Sequence, residues 1–91
     1  MATQGNTIPS TREIAELGEA IYQRQWEEKL LKDSVGKFVA INVATGAAIL
    51  GNTSEEALRL AQEQDPQAYF HLMRVGHRGA FQAGWYLSHA R

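Results

Sequence analysis

The chain has no cysteine among its 91 residues, and this absence excludes several kinds of chemistry. Without cysteine there is no disulfide to staple a small fold, no thiol chemistry and no thiolate ligand for zinc. A reducing compartment suits such a composition, so we expect a cytoplasmic protein. A chain of this length has a thin core, because a domain this small buries only about 60 to 65% of its unfolded surface. Pairing with another chain would therefore help to stabilise it.

Long apolar segments and an excess of charge are also lacking. No run approaches the roughly 18 apolar residues that span a bilayer, and no signal peptide precedes the first charged residues. We therefore expect a soluble protein without membrane association. The formal net charge is -1, from 9 Lys plus Arg and 10 Asp plus Glu, so no bulk charge draws the chain to nucleic acid or anionic lipid.

A catalytic constellation is missing as well. Gly36-Lys37 has neither the earlier glycine nor the following Ser or Thr of a phosphate-binding loop. His71, His77 and His89 lack the spacing of metal ligands, and no serine occupies a nucleophile elbow. The glutamates of the first predicted helix are typical of a solvated face rather than of a buried acid/base pair. We predict a non-enzymatic protein with no cofactor and no metal site, and the alternative is a small enzyme or ligand-binding domain with a site built at a dimer interface.

The N-terminal third is predicted to be one long charged helix after a flexible lead-in of residues 1–9. Ser10 and Glu13 have the spacing of a capping box, in which each side chain bonds the other's backbone N–H. Tyr22, Trp26 and Leu30 are each four residues apart and drift away from the face on which the helix begins. A continuous helix to residue 31 would span about 31 Å. The drift predicts that the helix either curves over the domain or breaks near residues 27–28, and the length predicts that an end of a continuous helix projects towards a partner.

The middle of the chain is predicted to be a hairpin and a second helix. Lys37–Val43 alternates as a strand does, and a three-residue loop with Gly46 left-handed would place Ile41 opposite Ile49. Thr53 repeats the capping-box pattern and begins a helix, which Asp65-Pro66 ends.

The C-terminal part begins with a further strand, Ala68–Val75, and Ala80–Ser88 is either a fourth strand or an aromatic tail. The predicted fold is α+β, with a long N-terminal helix followed by β-β-α-β-(β). Its small antiparallel sheet has the order 2-1-3, with the helices on one face. Residues 10–91 form a single domain.

The stretches GKFVAINVATGAAILG, TSEEAL and FHLMRVG resemble a family of short bacterial proteins, common in cyanobacteria, with the pattern G-K-[FY]-V-A-I, T-G, E-A and R-V-G. The likeness covers Glu13 to Phe81, and the tail GAFQAGWYLSHAR departs from it. Members are similar in size and setting to antitoxin-like partners, and their genes often lie beside another small gene. The resemblance implies a protein-binding role, with a small protein encoded nearby as the partner.

Large aromatic residues are the first group of candidate partner-binding residues. Tyr22 and Trp26, with Leu30, lie on the drifting helix face, and Trp85 and Tyr86 lie in the tail. Tyrosine and tryptophan either fill a thin core or occupy the centre of an interface. Both alternatives stay open from the sequence.

A basic C-terminal region is the second group. Residues 66–91 contain three arginines, all three histidines and no acid. Arg74 and Arg78 flank the Gly-rich loop that contains His77, and the two arginines are suited to pair with the acidic first helix of another copy, so a homodimer is the leading expectation. The alternative is a nucleic-acid-binding protein that uses this Arg/His patch together with Arg91, although the loop's G-x-x-G shape is also that of a simple turn between strands.

Overall fold

The computed structural model describes residues 9–76 and the backbone of residues 85–87. Helices α1 (Thr11–Ile21) and α2 (Glu27–Asp33) are joined by a π-helical turn (Tyr22–Trp26). Strands β1 (Phe38–Asn42) and β2 (Ala48–Gly51), helix α3 (Ser54–Gln64), and strands β3 (Tyr69–Arg74) and β4 (Trp85–Leu87) follow. None of the described helices is both long and apolar enough to cross a bilayer. Of the predicted lead-in, residues 1–8 lie outside the described residues.

The first helix is continuous from Thr11 to Asp33, and its π-helical turn explains the drift of the apolar residues. In a straight α-helix, Leu30 would be rotated by about 160° from Ile14, at about 100° per residue. The π turn takes up roughly one extra residue, which reduces this rotation to about 60°. Ile14, Tyr22 and Leu30 are consequently all buried, and the helix neither breaks nor swings away from the sheet.

The sheet has the strand order β2-β1-β3-β4, and all of its neighbouring strands are antiparallel. The predicted α+β class and the 2-1-3 order of the first three strands are confirmed. For residues 85–87 the structure decides between the two predicted alternatives, because their backbone forms a strand paired with β3.

The two helical layers lie on opposite faces of the sheet, so the prediction of helices on one face is wrong. Between the first helix and the sheet lie the buried residues Tyr22, Leu30, Val39, Ile41, Met73 and Val75. Between α3 and the other face lie Ala40, Ala57, Ala61, Ala68, Phe70 and Leu72. Successive residues of β1 therefore enter different clusters, as strand geometry requires. Both faces need cover because both sets of alternating residues in β1 are apolar.

The hairpin between β1 and β2 differs from the predicted one by a single residue. Asn42 Oδ1 accepts the backbone N–H groups of Ala44 at 2.9 Å and Thr45 at 3.2 Å, which starts the turn one residue earlier than predicted. Gly46 has a positive φ of 85°, as expected. Ile49 consequently pairs with Ala40 and not with Ile41. This shift turns the side chain of Ile49 to the α3 face.

Close packing of α1 on β3 depends on a glycine. A Cβ atom added at Gly18 would overlap the Cβ of His71 and lie only 2.5 Å from its Cγ and 2.7 Å from its Cδ2. His71 is 3% exposed and belongs to a strand paired on both sides. Glycine at position 18 thus lets the helix backbone rest directly on a central strand.

Candidate partner-binding surface

Two of the predicted partner-binding residues are part of the core. Tyr22 is 2% exposed and Leu30 is 8% exposed, and both pack on β1 and β3. A partner therefore cannot reach either side chain while the domain is folded. The spacing of four residues that suggested a displaced surface is the consequence of the π-helical turn.

Trp26 is half-buried and links the first helix to the hairpin. Its indole Nε1 donates a hydrogen bond of 2.8 Å to the backbone oxygen of Gly46, and Lys29 Nζ lies 5.3 Å from the centre of its ring. Because a buried indole N–H requires an acceptor, this bond anchors the hairpin turn against the helix. Within the chain, the role of Trp26 is structural.

Arg74 is exposed, and its side chain is held along the sheet surface. Its Nε donates to the Gly36 backbone oxygen at 3.1 Å, and its guanidinium carbon lies 5.3 Å from the centre of the Phe38 ring. His77 and Arg78 lie outside the described residues, and for Trp85 and Tyr86 the structure describes only the backbone. The predicted roles of the C-terminal residues, and with them the nucleic-acid alternative, stay predictions.

The outer edge of β2 is a feature that we did not predict. The N–H of Val43 bonds to Tyr69 across the β1–β3 pair, and the N–H of Asn42 bonds to Ala47 across the β1–β2 pair. The backbone N–H and C=O groups of successive β1 residues point to alternate sides. Those of odd-numbered residues therefore bond to β3, and those of even-numbered residues bond to β2. Since Ala40 is opposite Ile49 and Phe38 is opposite Gly51, Ile49 and Gly51 bond inward.

Ala48 and Leu50 consequently direct their N–H and C=O groups away from the sheet. β2 is the terminal strand of the order, and no described residue bonds to these four backbone groups. The side chains of residues 48–50 are half-buried and apolar. An unpaired row of backbone groups beside apolar side chains is a template for pairing with another strand.

Bonds within the chain close both ends of this open edge. At one end, the Gly46 N–H donates to the Asn42 oxygen at 2.7 Å, and the Gly46 oxygen accepts from Trp26. At the other end, the Asn52 N–H donates to Glu56 Oε1 at 2.6 Å. The N–H groups available at this edge are therefore those of Ala48 and Leu50, with Ile49 at their centre.

The edge strand itself carries no charge, although the side chains of Lys37 and Glu56 lie around a depression beside its Leu50 end. The sequence has no Asp, Glu, Lys or Arg between Lys37 and Glu55, and no proline either. Natural proteins usually blunt an edge strand with a charge, a proline or a bulge. The uncharged run was visible in the sequence, but only the strand order shows that part of it lies at an edge.

A cavity of about 200 Å³ lies between the hairpin and the end of α3 and is lined by Asn42, Asp65 and neighbouring residues. It is smaller than typical ligand pockets of about 300 to 1,000 Å³, whereas two more open depressions, beside the start of α1 and beside the first turn of α3, measure about 440 and 520 Å³. Asn42 Nδ2 donates to Asp65 Oδ2 at 3.0 Å, and its Oδ1 accepts two turn N–H groups, so both ends of the Asn42 amide are already in use.

His71 is the only one of the three histidines within the described residues. Its Nε2 lies 3.2 Å from Glu19 Oε2, and its buried Nδ1 has no hydrogen-bond partner among the described residues. In the same part of the chain, no group of three or more His, Asp or Glu side chains is placed to hold a metal ion. Because His77 and His89 fall outside it, the absence of a metal site stays a prediction.

Comparison with known proteins gives no match to a protein-family model, to a curated protein or to a solved structure. The resemblance to short antitoxin-like bacterial proteins stays a prediction. The open edge of β2 is the feature that supports a binding function.

Proposed function

We propose that this chain is a non-enzymatic, cytoplasmic protein-binding protein of antitoxin-like or regulatory type, and that its β2 edge binds an extended strand of another polypeptide chain, either a second copy or a different protein. The observation that supports the proposal most is the unpaired and uncharged edge at Ala48 and Leu50. Extended segments that bind proteins in this way gain affinity from backbone hydrogen bonds and specificity from alternate side chains.

The energy of the edge indicates what such a partner must supply. Four backbone hydrogen bonds at about 1 kcal/mol each contribute about 4 kcal/mol, which corresponds to a dissociation constant of only about 1 mM. Association also costs an estimated 4 kcal/mol or more in lost translational and rotational freedom. Backbone pairing alone is therefore too weak, and the partner must also cover apolar side chains such as Ile49 and Leu50.

Burial of these apolar side chains by the partner provides the binding free energy that the backbone hydrogen bonds do not supply. Burial of apolar surface contributes about 25 cal/mol per Å², so 200 Å² of additional apolar contact is worth about 5 kcal/mol. Ile49 and Leu50 are half-buried in the single chain, so each retains apolar surface for such contact. The partner strand should accordingly be apolar at the positions opposite them.

Photo-crosslinking in cells of the natural host tests the proposal. A benzophenone side chain at Ile49 should give one adduct of defined mass, whereas the same group at Gln67, exposed after α3, should not. Ala48→Pro should lower the yield of the adduct, because proline removes an outward N–H without breaking the β1–β2 ladder. Absence of an adduct at Ile49, or equal labelling at both positions, would contradict strand addition at this edge.

A further inference from the structure

We infer that the strand that pairs with β2 is β2 of a second copy, antiparallel to the first, with the two-fold axis passing between the two Ile49 residues. This inference rests on the proposed function and names its partner. The combined sheet would have the two β2 strands at its centre, and each copy would use the same surface patch, as two-fold dimers do.

The register follows from the backbone groups that are available. With Ile49 opposite its counterpart, Ala48 of each copy lies opposite Leu50 of the other. Ala48 and Leu50 both direct their N–H and C=O groups outward, so each such pair exchanges two hydrogen bonds. The two pairs satisfy all four open groups of each edge. If the register between the two β2 strands shifted by one residue, the outward N–H and C=O groups of Leu50 would lie opposite Ile49, whose backbone groups bond inward to β1.

The ends of the edge fit a strand of the same length. Gly46 and Asn52 lie three residues to either side of Ile49, and the N–H groups of both are bonded within the chain. The open segment is therefore centred on Ile49, and a second β2 matches it at both ends. A longer extended peptide would project beyond the available groups.

The absence of charge favours a second copy over an unrelated strand. Identical chains bring identical charges together, so self-pairing favours a strand without charge, and β2 and the residues next to it in sequence carry none. An unrelated partner is usually selected by complementary charges, and this segment provides none. Ile49 would meet its counterpart at a non-hydrogen-bonded position, where opposing side chains are closest, and both would lie beneath α3.

Charge complementation at the axis tests this inference. The wild-type protein should sediment as a dimer, and Ile49→Lys and Ile49→Glu should each dimerise at least about ten-fold more weakly, because like charges then face each other. An equimolar mixture should restore a dimer with one chain of each kind, identified by native mass spectrometry. Ile21→Lys is the matched control, since Ile21 is also half-buried but packs with the cluster on the opposite face. It should keep the dimer.

A second variant covers the case in which a charge at position 49 prevents folding. Ala48→Pro, checked for folding by circular dichroism, removes two of the four intermolecular hydrogen bonds and should weaken the dimer by about ten-fold or more. A wild-type monomer at every concentration, or a Lys/Glu mixture without mixed dimers, would overturn the inference. If the wild type is monomeric and the Ile49 crosslink captures a different protein, the inference fails and the proposed function stands. If no crosslink forms, both fail.

Discussion

Replacing Gly18 by alanine should destabilise the protein, although the same change normally stabilises a helix. Alanine is favoured over glycine in a helix interior by about 1 kcal/mol. At position 18, however, the new methyl group would overlap the Cβ of His71 and lie 2.5 Å from its Cγ. An ordinary contact between carbon atoms requires about 3.5 to 4.0 Å, so α1 and β3 must separate by about 1 Å.

The magnitude follows from how little either element can move. Inserting a methyl group into a packed interface typically costs about 1 to 3 kcal/mol. His71 lies in β3, which is paired with β1 on one side and β4 on the other, so we place the cost at the upper end of this range. After subtracting the helix propensity, we expect a net loss of about 2 kcal/mol in the free energy of unfolding.

Urea unfolding followed by tryptophan fluorescence measures this change. Ala20→Gly is the matched control, because Ala20 is exposed in the same helix and should show only the propensity loss of about 1 kcal/mol. In a His71→Gly background the overlapping atoms are absent, so Gly18→Ala should there become stabilising. A Gly18→Ala protein as stable as the wild type would refute the close packing of α1 on β3.

Two further changes test the π-helical turn and the hairpin. Deleting the exposed Gln23 should close the π turn to an α turn and cost less than about 1 kcal/mol, whereas deleting the exposed Glu16 should rotate Ile14 out of the core and cost about 2 kcal/mol or more. Thermal unfolding compares them, and equal losses would argue against a π turn that absorbs one residue. Asn42→Asp retains the oxygen that accepts the turn N–H groups but places a second carboxylate against Asp65. The free energy of unfolding should therefore fall by about 1 to 3 kcal/mol. Adding Asp65→Asn should restore most of the lost stability. A double variant no more stable than Asn42→Asp alone would contradict the contact between residues 42 and 65.

The sequence predicted those features whose interactions are local. Ser10 and Glu13 form the expected reciprocal capping box, since all of its atoms lie within one helical turn. Thr53 caps α3 as predicted by accepting the Glu56 N–H at 3.0 Å. Glu56 differs in detail, because its carboxylate accepts from Asn52 instead of from the capping residue.

Features that depend on distant contacts were not predictable in the same way. The register of the hairpin depends on the side chain of Asn42. Its Oδ1 accepts the N–H groups of the two residues after Val43, and these bonds end the strand one residue earlier than the alternating pattern predicts. The π turn is stable because Tyr22 and Leu30 are both buried on one sheet, and spacing alone did not distinguish it from a curved or broken helix. The side on which α3 packs depends on the apolar residues on both faces of β1.

The candidate surface was missed for a related reason. The aromatic residues of the first helix suggested a partner-binding face on that helix. Tyr22 is buried, so this face belongs to the core. The groups that carry the proposal are the backbone N–H and C=O of Ala48 and Leu50, which every sequence has and which become available only at a sheet edge. Their importance is a property of strand order, and side-chain chemistry gives no sign of it.

Amide hydrogen exchange at β2, followed by NMR at increasing protein concentration, is the most direct test of pairing at this edge. If the bonding partner is a second copy, the Ala48 and Leu50 amides should become protected together as the concentration rises. Ile49, which bonds inward to β1, should be protected throughout and serves as the internal reference. Rapid exchange of the Ala48 and Leu50 amides at every concentration, beside a protected Ile49 amide, would show that no second copy pairs with β2.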